Sequence, residues 1–265
     1  MKRRDFLKTS VAASALATLA PRTTASAAEP KALAREYYEW RAYRLKPGAD
    51  HSLLDAYLEK AAIPALNRLG SKPIGVFTEL EPKDDPALFV LIPYASLDAF
   101  AVVAGKLNND PEYTKAGAEY LEVSKKNPAF VRTDTWLLQA LVGIPKIELP
   151  AYSRERKPRI VEARTYESHS ESKAQKKVDM FNDGEIQIMR DVGLGPIFYG
   201  QALIGSNLPH LIYMLSGETR EAHKEHFGAF GKDPRWKKIS ADPQYADTVS
   251  KITSRFLQPT GYSQI

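Results

Sequence analysis

Residues 123 positions apart correspond along this chain of 265 residues, and no other feature limits its fold as tightly. Glu39, Arg41 and Tyr43 fall on Glu162, Arg164 and Tyr166; Gly70, Pro73 and Ile74 fall on Gly193, Pro196 and Ile197. Pro86 falls on Pro209, and Asp110-Pro111 on Asp233-Pro234. One constant offset means two copies of one unit of about 110 residues, too few for a solenoid. The expectation is a pair of packed domains, residues 35–141 and 158–260, joined by a linker at 142–157.

Both copies carry the same order of elements. In the first, "EYYEWRAYRL" alternates as a strand, and Leu54, Leu58, Ala61, Ala65 and Leu69 follow at helical spacing, with Pro64 expected to bend that helix. "PIGVFTEL" and "ALFVLIPY" read as strands, Ser96 caps a second helix, and "TDTWLLQAL" is the last strand. The second copy repeats this with "RIVEARTY", a helix around 178–192, "PIFYGQALIG", "HLIYMLS", a helix from about Thr219, and "SRFLQP". A βαββαβ unit makes a four-stranded antiparallel sheet with helices on one face and leaves the other face bare. The fold expected is therefore α+β: two tandem ferredoxin-like domains packed sheet to sheet as an intrachain dimeric α+β barrel, a pseudo-dimer open to further homo-oligomerisation.

The first 27 residues read as a removable leader. Basic "MKRRDFLK", the short apolar run "VAASALATLA" and the small-residue site Ala25-Ser26-Ala27 occur in signal-peptide order, and paired Arg3 and Arg4 resemble a twin-arginine export signal. The expected location is periplasmic or secreted. Ten weakly apolar residues are too few to span a bilayer, which takes about twenty, so no stable membrane span is expected in the mature chain. The leader holds Lys2, Arg3, Arg4, Lys8 and Arg22 against Asp5, a net +4, so of the formal +5 only +1 remains after cleavage. A nearly neutral chain lacks the basic face that nucleic acid requires. The absence of cysteine excludes disulfides, thiolate nucleophiles and cysteine-ligated metals.

The motifs "YYEWRAY" and "IVEARTY", "GSKPIG" and "GLGPIF", "PHLIYML", and "DPEY" and "DPRW" resemble those of the NIPSNAP family, from about Arg35 to Gln258. The resemblance implies the dimeric α+β barrel fold, and no agreed chemistry comes with it. In the first copy Ala87 stands in place of the histidine of "PHL" and Tyr113 in place of the tryptophan of "DPRW".

Candidate site residues begin with the charged strands. Alternation puts Glu39, Arg41 and Tyr43 on one face, and Glu162, Arg164 and Tyr166 on one face, which we expect to point between the two sheets, with Val161, Ala163 and Thr165 beneath helices. Two roles fit. The ions pair as a structural network that fixes sheet register, or the arginines and tyrosines line a cleft for a small polar or carboxylated ligand. The second clue is His223 and His226, which replace Phe100 and Val103 of the first copy and share a helix face, where they suit an acid/base pair, two metal ligands or a partly solvated surface. His210 is a third candidate, and Trp236 reads as a loop anchor. Two histidines lack a third ligand, so no metal or other cofactor is expected.

The chain shows no GxGxxG, Walker or GxSxG motif. Two function classes remain. One is an exported small-molecule-binding or protein-interaction module. The other is a cofactor-independent or weakly metal-assisted, monooxygenase-like enzyme that uses the His223/His226 region.

Overall fold

The computed structural model describes residues 34–81 and 85–265; the expected leader with Arg3 and Arg4 lies outside them. All eight expected strands form. The first repeat supplies β1 (Tyr37–Arg44), β2 (Gly75–Glu79), β3 (Ala87–Tyr94) and β4 (Arg132–Ala140). The second supplies β5 (Ile160–Glu167), β6 (Pro196–Ile204), β7 (His210–Gly217) and β8 (Lys251–Pro259). Helices α1 (Ser52–Tyr57), α2 (Ile63–Arg68), α3 (Leu97–Asn108), α4 (Pro111–Ala116) and α5 (Ala118–Leu121) belong to the first repeat, and α6 (Ala151–Arg154) lies between the repeats. The second repeat contains α7 (Glu171–Met180), α8 (Ile186–Asp191), α9 (Arg220–Lys232) and α10 (Pro234–Ser240).

Local signals recur at the same offset. Ser96 and Thr219 each accept a hydrogen bond from the backbone three residues on, at 3.1 Å, and so start α3 and α9. Asp110 and Asp233 cap α4 and α10 ahead of a proline that needs no partner in the first turn. Gly70 and Gly193 take φ of +92° and +87° just past α2 and α8, the left-handed conformation that ends a helix. Between α1 and α2 a π-helical turn occupies Leu58–Ala62, and Phe181–Glu185 forms its counterpart between α7 and α8. We expected Pro64 to bend the first of these helices. Pro64 stands just after the first π turn, at the start of α2, whereas in the second repeat Gln187 holds that position and the turn contains Gly184 at φ +132°, so the two bends differ in local geometry.

The strand order is β1-β3-β2-β8-β5-β7-β6-β4, closed into a barrel with every pair antiparallel. Each repeat contributes a 4-1-3-2 sheet of the ferredoxin-like kind. The two sheets face each other and also join at both edges: β2 pairs with β8, Phe77 opposite Pro259, and β4 with β6, Gln139 opposite Gln201. Closure leaves neither repeat an open sheet edge.

Three apolar clusters follow. One fills the barrel, with Tyr38, Trp40, Phe77, Leu91, Leu138, Val161, Phe198, Met214 and Leu257. The others lie outside, between each sheet and its helices. The central strands β1, β3, β5 and β7 are thus covered on both faces over most of their length, which decides where the charged residues of β1 and β5 can go.

Candidate functional site

The charged strand residues point outward to the helices, not between the sheets. Tyr43 packs among Leu54, Leu58 and Ala62 of the first helical layer, and Glu39 and Arg41 share its face of β1. Val161 and Ala163 line the barrel interior. Our expectation for the two faces was therefore inverted. Alternation separates faces clearly only when one of them meets water, and here neither does.

Beneath the first set of helices the carboxylate is paired. Arg41 Nε and Nη2 donate to Glu39 Oε1 at 2.8 and 2.5 Å, Arg41 Nη1 donates to Tyr43 Oη at 2.8 Å, and Tyr94 Oη donates to Glu39 Oε2 at 3.0 Å. Burial and the charge of Glu39 both push the Tyr94 hydroxyl upward, so it stays a proton donor.

The second layer repeats the pair with other partners. Arg164 Nη1 donates to Glu162 Oε1 at 2.6 Å, His223 Nε2 donates to Glu162 Oε2 at 2.8 Å, and the Ser254 hydroxyl also donates to Glu162 Oε1. Burial acts to raise the Glu162 carboxyl, but the His223 bond, the Arg164 charge and the Ser254 hydroxyl together hold it below the usual range. Arg164 lies 5.2 Å from the ring centroid of Phe227 on α9, and Tyr213 Oη donates to Tyr166 Oη at 2.9 Å. A second buried pair, Lys177 Nζ to Glu185 Oε2 at 2.7 Å, spans the π turn, and burial pushes the Glu185 carboxyl upward in spite of it.

The histidines do not converge. His223 is buried and engaged with Glu162, while the His226 ring packs against Gly193, where a Cβ would stand 3.0 Å from it. Trp236 lies on α10 with its ring 4.5 Å from that of Phe230, an anchor between α10 and α9. Among the described residues no group of three histidines or carboxylates is placed to hold a metal ion.

Of the sequence candidates, His210 alone faces the barrel interior, and it does so beside a cavity. That cavity, about 350 Å³, opens at the mouth formed by the C-terminal ends of β1 and β5 and the N-terminal ends of β3, β4, β7 and β8. Trp40, Phe89 and Trp136 supply flat apolar walls, and Trp40 and Phe89 stack at 5.1 Å with 13° between their planes. Alanines 42 and 163 leave the space that larger residues fill at the other end of the barrel. The loop between β6 and β7 borders the opening: Trp136 Nε1 donates to the Ser206 carbonyl at 3.3 Å. Gly205 there has φ of +146°, and a Cβ on it would strike the Trp136 ring at 2.2 Å, so only glycine fits.

Ion pairs surround the opening: Arg44 with Asp134 at 3.1 Å, Lys251 with Glu167 at 3.0 Å, and Arg255 with Glu79 at 2.5 Å. His210 is 3% exposed. Its Nδ1 donates to the Asn207 carbonyl at 3.0 Å, and burial pushes its pKa downward, favouring the neutral ring. Sequence reasoning missed Trp40, Phe89 and Trp136. For Trp40 the signal was present, since it alternates with Glu39 and Arg41 on β1, but the faces of that strand were inverted; Phe89 lies on a strand without charges, and Trp136 shares the parity of Asp134, so neither stood out.

The NIPSNAP profile matches residues 38–127 and again residues 161–264. The chain belongs to the NIPSNAP family. Its double match coincides with the two repeats that form the barrel. Among solved structures, a protein from Fusobacterium nucleatum subsp. nucleatum, provisionally named a monooxygenase, is 10% identical, with 86% of this chain and 93% of that one covered and a TM-score of 0.54. Another provisional monooxygenase, from Lactobacillus acidophilus NCFM, is 8% identical, with 85% and 94% covered and a TM-score of 0.54. At such identities the likeness speaks for the fold alone. A NIPSNAP family protein from Agrobacterium tumefaciens strain C58 is 25% identical, with 40% of this chain and 96% of that one covered and a TM-score of 0.36. No curated protein matches the chain.

Proposed function

We propose that this NIPSNAP protein is an exported small-molecule-binding protein whose ligand sits in the barrel mouth. The observation that carries the reading is the cavity of about 350 Å³ walled by Trp40, Phe89 and Trp136, a size and lining that suit a compact planar molecule. The arginines and lysine at the opening each meet a carboxylate within the barrel, so of the small polar or carboxylated ligands expected from sequence the site favours an uncharged one. The provisional monooxygenase names of two structural neighbours do not change this preference. In this chain His223 is tied to Glu162 on the far side of the sheet from the cavity, an arrangement that supports a structural task.

A thermal-shift screen of neutral aromatic compounds tests the proposal. Compounds that stabilise the wild type should lose their effect in Ala42→Phe, which places a ring in the cavity. Equal stabilisation of both proteins would contradict a barrel-mouth site. Export belongs to the same proposal and rests on the leader: changing Arg3 and Arg4 to lysine should retain the precursor in the cell. Normal export of that variant would refute the twin-arginine route.

A further inference from the structure

His210 is the unusual residue of the cavity. It opens β7, and Ile212 and Met214, two and four residues on, are part of the barrel interior, so its side chain shares their face. A carbonyl oxygen can only accept, so the bond to Asn207 places the ring proton on Nδ1. In the neutral ring Nε2 then carries a lone pair. That atom is buried and finds no hydrogen-bond partner among the described residues. Leaving a buried acceptor unpaired costs about 1–3 kcal/mol. At the equivalent position the first repeat has Ala87, which also lines the cavity, so the fold itself does not require an imidazole at this depth.

His210 lines the same cavity as the flat walls. Stacking surfaces favour a planar body but do not distinguish one such body from another. A buried acceptor does distinguish them, because a ligand with an O–H or N–H satisfies it and an analogue without one leaves it unpaired.

From this geometry we infer that His210 Nε2 is the specificity-determining acceptor of the barrel-mouth site and selects planar, uncharged ligands that present a hydroxyl or ring N–H donor. The inference rests on the barrel-mouth reading and adds the ligand's polar group to it. His210 acts here by direct contact with the ligand. No covalent step is involved, and the proton stays on the ligand.

Two probes with the same ring and the same oxygen position test it on the full chain by titration calorimetry: 2-naphthol, and 2-methoxynaphthalene, in which a methyl group replaces the hydroxyl hydrogen. Wild type should bind 2-naphthol about tenfold more tightly, the value of one well-placed buried hydrogen bond. In His210→Ala, the residue of the first repeat, the two probes should bind alike, chiefly through weaker 2-naphthol binding. If that variant does not fold, His210→Phe, which keeps a ring in place, should give the same result. Equal wild-type affinities for the two probes, or a preference that survives both substitutions, would overturn the inference and leave the barrel-mouth site standing. Failure of both probes to bind wild type, or undiminished binding to Ala42→Phe, would overturn the site and the inference together.

Discussion

Beneath its two sets of helices the barrel buries the same strand glutamate in two ways. In the first repeat Glu39 is met by Arg41 and by Tyr94 from the neighbouring strand, and Phe100 of α3 packs on Tyr94 with ring centroids 5.4 Å apart. In the second, the position of Tyr94 is Gly217 and that of Phe100 is His223, which reaches the carboxylate from α9. Glycine makes the room: a Cβ at Gly217 would stand 3.2 Å from His223 Cβ and Nδ1. The donor has moved from strand to helix while the acceptor stayed. The same layer replaces Leu54 and Ala62 with the buried pair Lys177 and Glu185. Both solutions satisfy every carboxylate with neighbours in the fold, and neither borders the barrel-mouth cavity. The difference teaches that an unusual histidine in one copy can be a substitute for a lost tyrosine rather than a mark of chemistry.

The largest effect should come from the added ion pair. Lys177→Leu leaves Glu185 buried without its counter-charge, and chemical denaturation should show a loss of about 3–5 kcal/mol. Adding Glu185→Ala restores the residue pair of the first repeat and should recover most of that loss, because an apolar pair avoids the desolvation of two ions. If the double variant is as unstable as the single one, the two layers are not interchangeable at this point.

A smaller effect is expected at the exchanged donor. His223→Phe removes one hydrogen bond to a charged group and should cost about 1.5–3 kcal/mol, with Arg164 and Ser254 still in place. Gly217→Tyr in that background rebuilds the arrangement of the first repeat and should return part of the loss. Further destabilisation by the second change would show that the exchange of Tyr94 for His223 is not the compensation described here.

Most of the architecture was legible in the sequence. The offset of 123 residues, the alternation of eight segments and the recurring Ser/Thr and Asp-Pro caps are local or self-referential signals, and they specify strands, helices and their order without reference to packing. The pairing of Glu39 with Arg41 and of Glu162 with Arg164 was legible for the same reason, since residues two apart on a strand are neighbours. What was not legible was which face they occupy. In a closed barrel with helices outside, Trp40 and Arg41 are both covered, and polarity no longer tells inside from outside. Nor could sequence reveal that Trp136 and His210, 74 residues apart, line one cavity, because that depends on β4 pairing with β6 across the repeats.

The smallest effect separates the two repeats at the mouth, where His210 stands opposite the role of Ala87. Burial lowers the His210 pKa in the folded protein below the ordinary 6.5, so the unfolded chain takes up the proton first. Stability should therefore fall as pH drops through 6.5 toward the folded value, and His210→Ala should flatten that part of the profile. Thermal melts between pH 7.5 and 5, roughly a unit either side of the histidine value, check it. An unchanged slope would place the acid sensitivity elsewhere.

The central claim is that the ion layers under the helices hold the fold while the opposite face of the same strands holds the ligand. The affinity of Arg164→Ala for 2-naphthol tests it most directly. Glu162 keeps His223 and Ser254 in this variant, so the protein should fold with a loss of about 1–3 kcal/mol. The account predicts a dissociation constant within about twofold of wild type, since Arg164 lines no part of the cavity. Loss of binding by more than about tenfold in a folded variant of unchanged stability would contradict it and return the site to the charged strands.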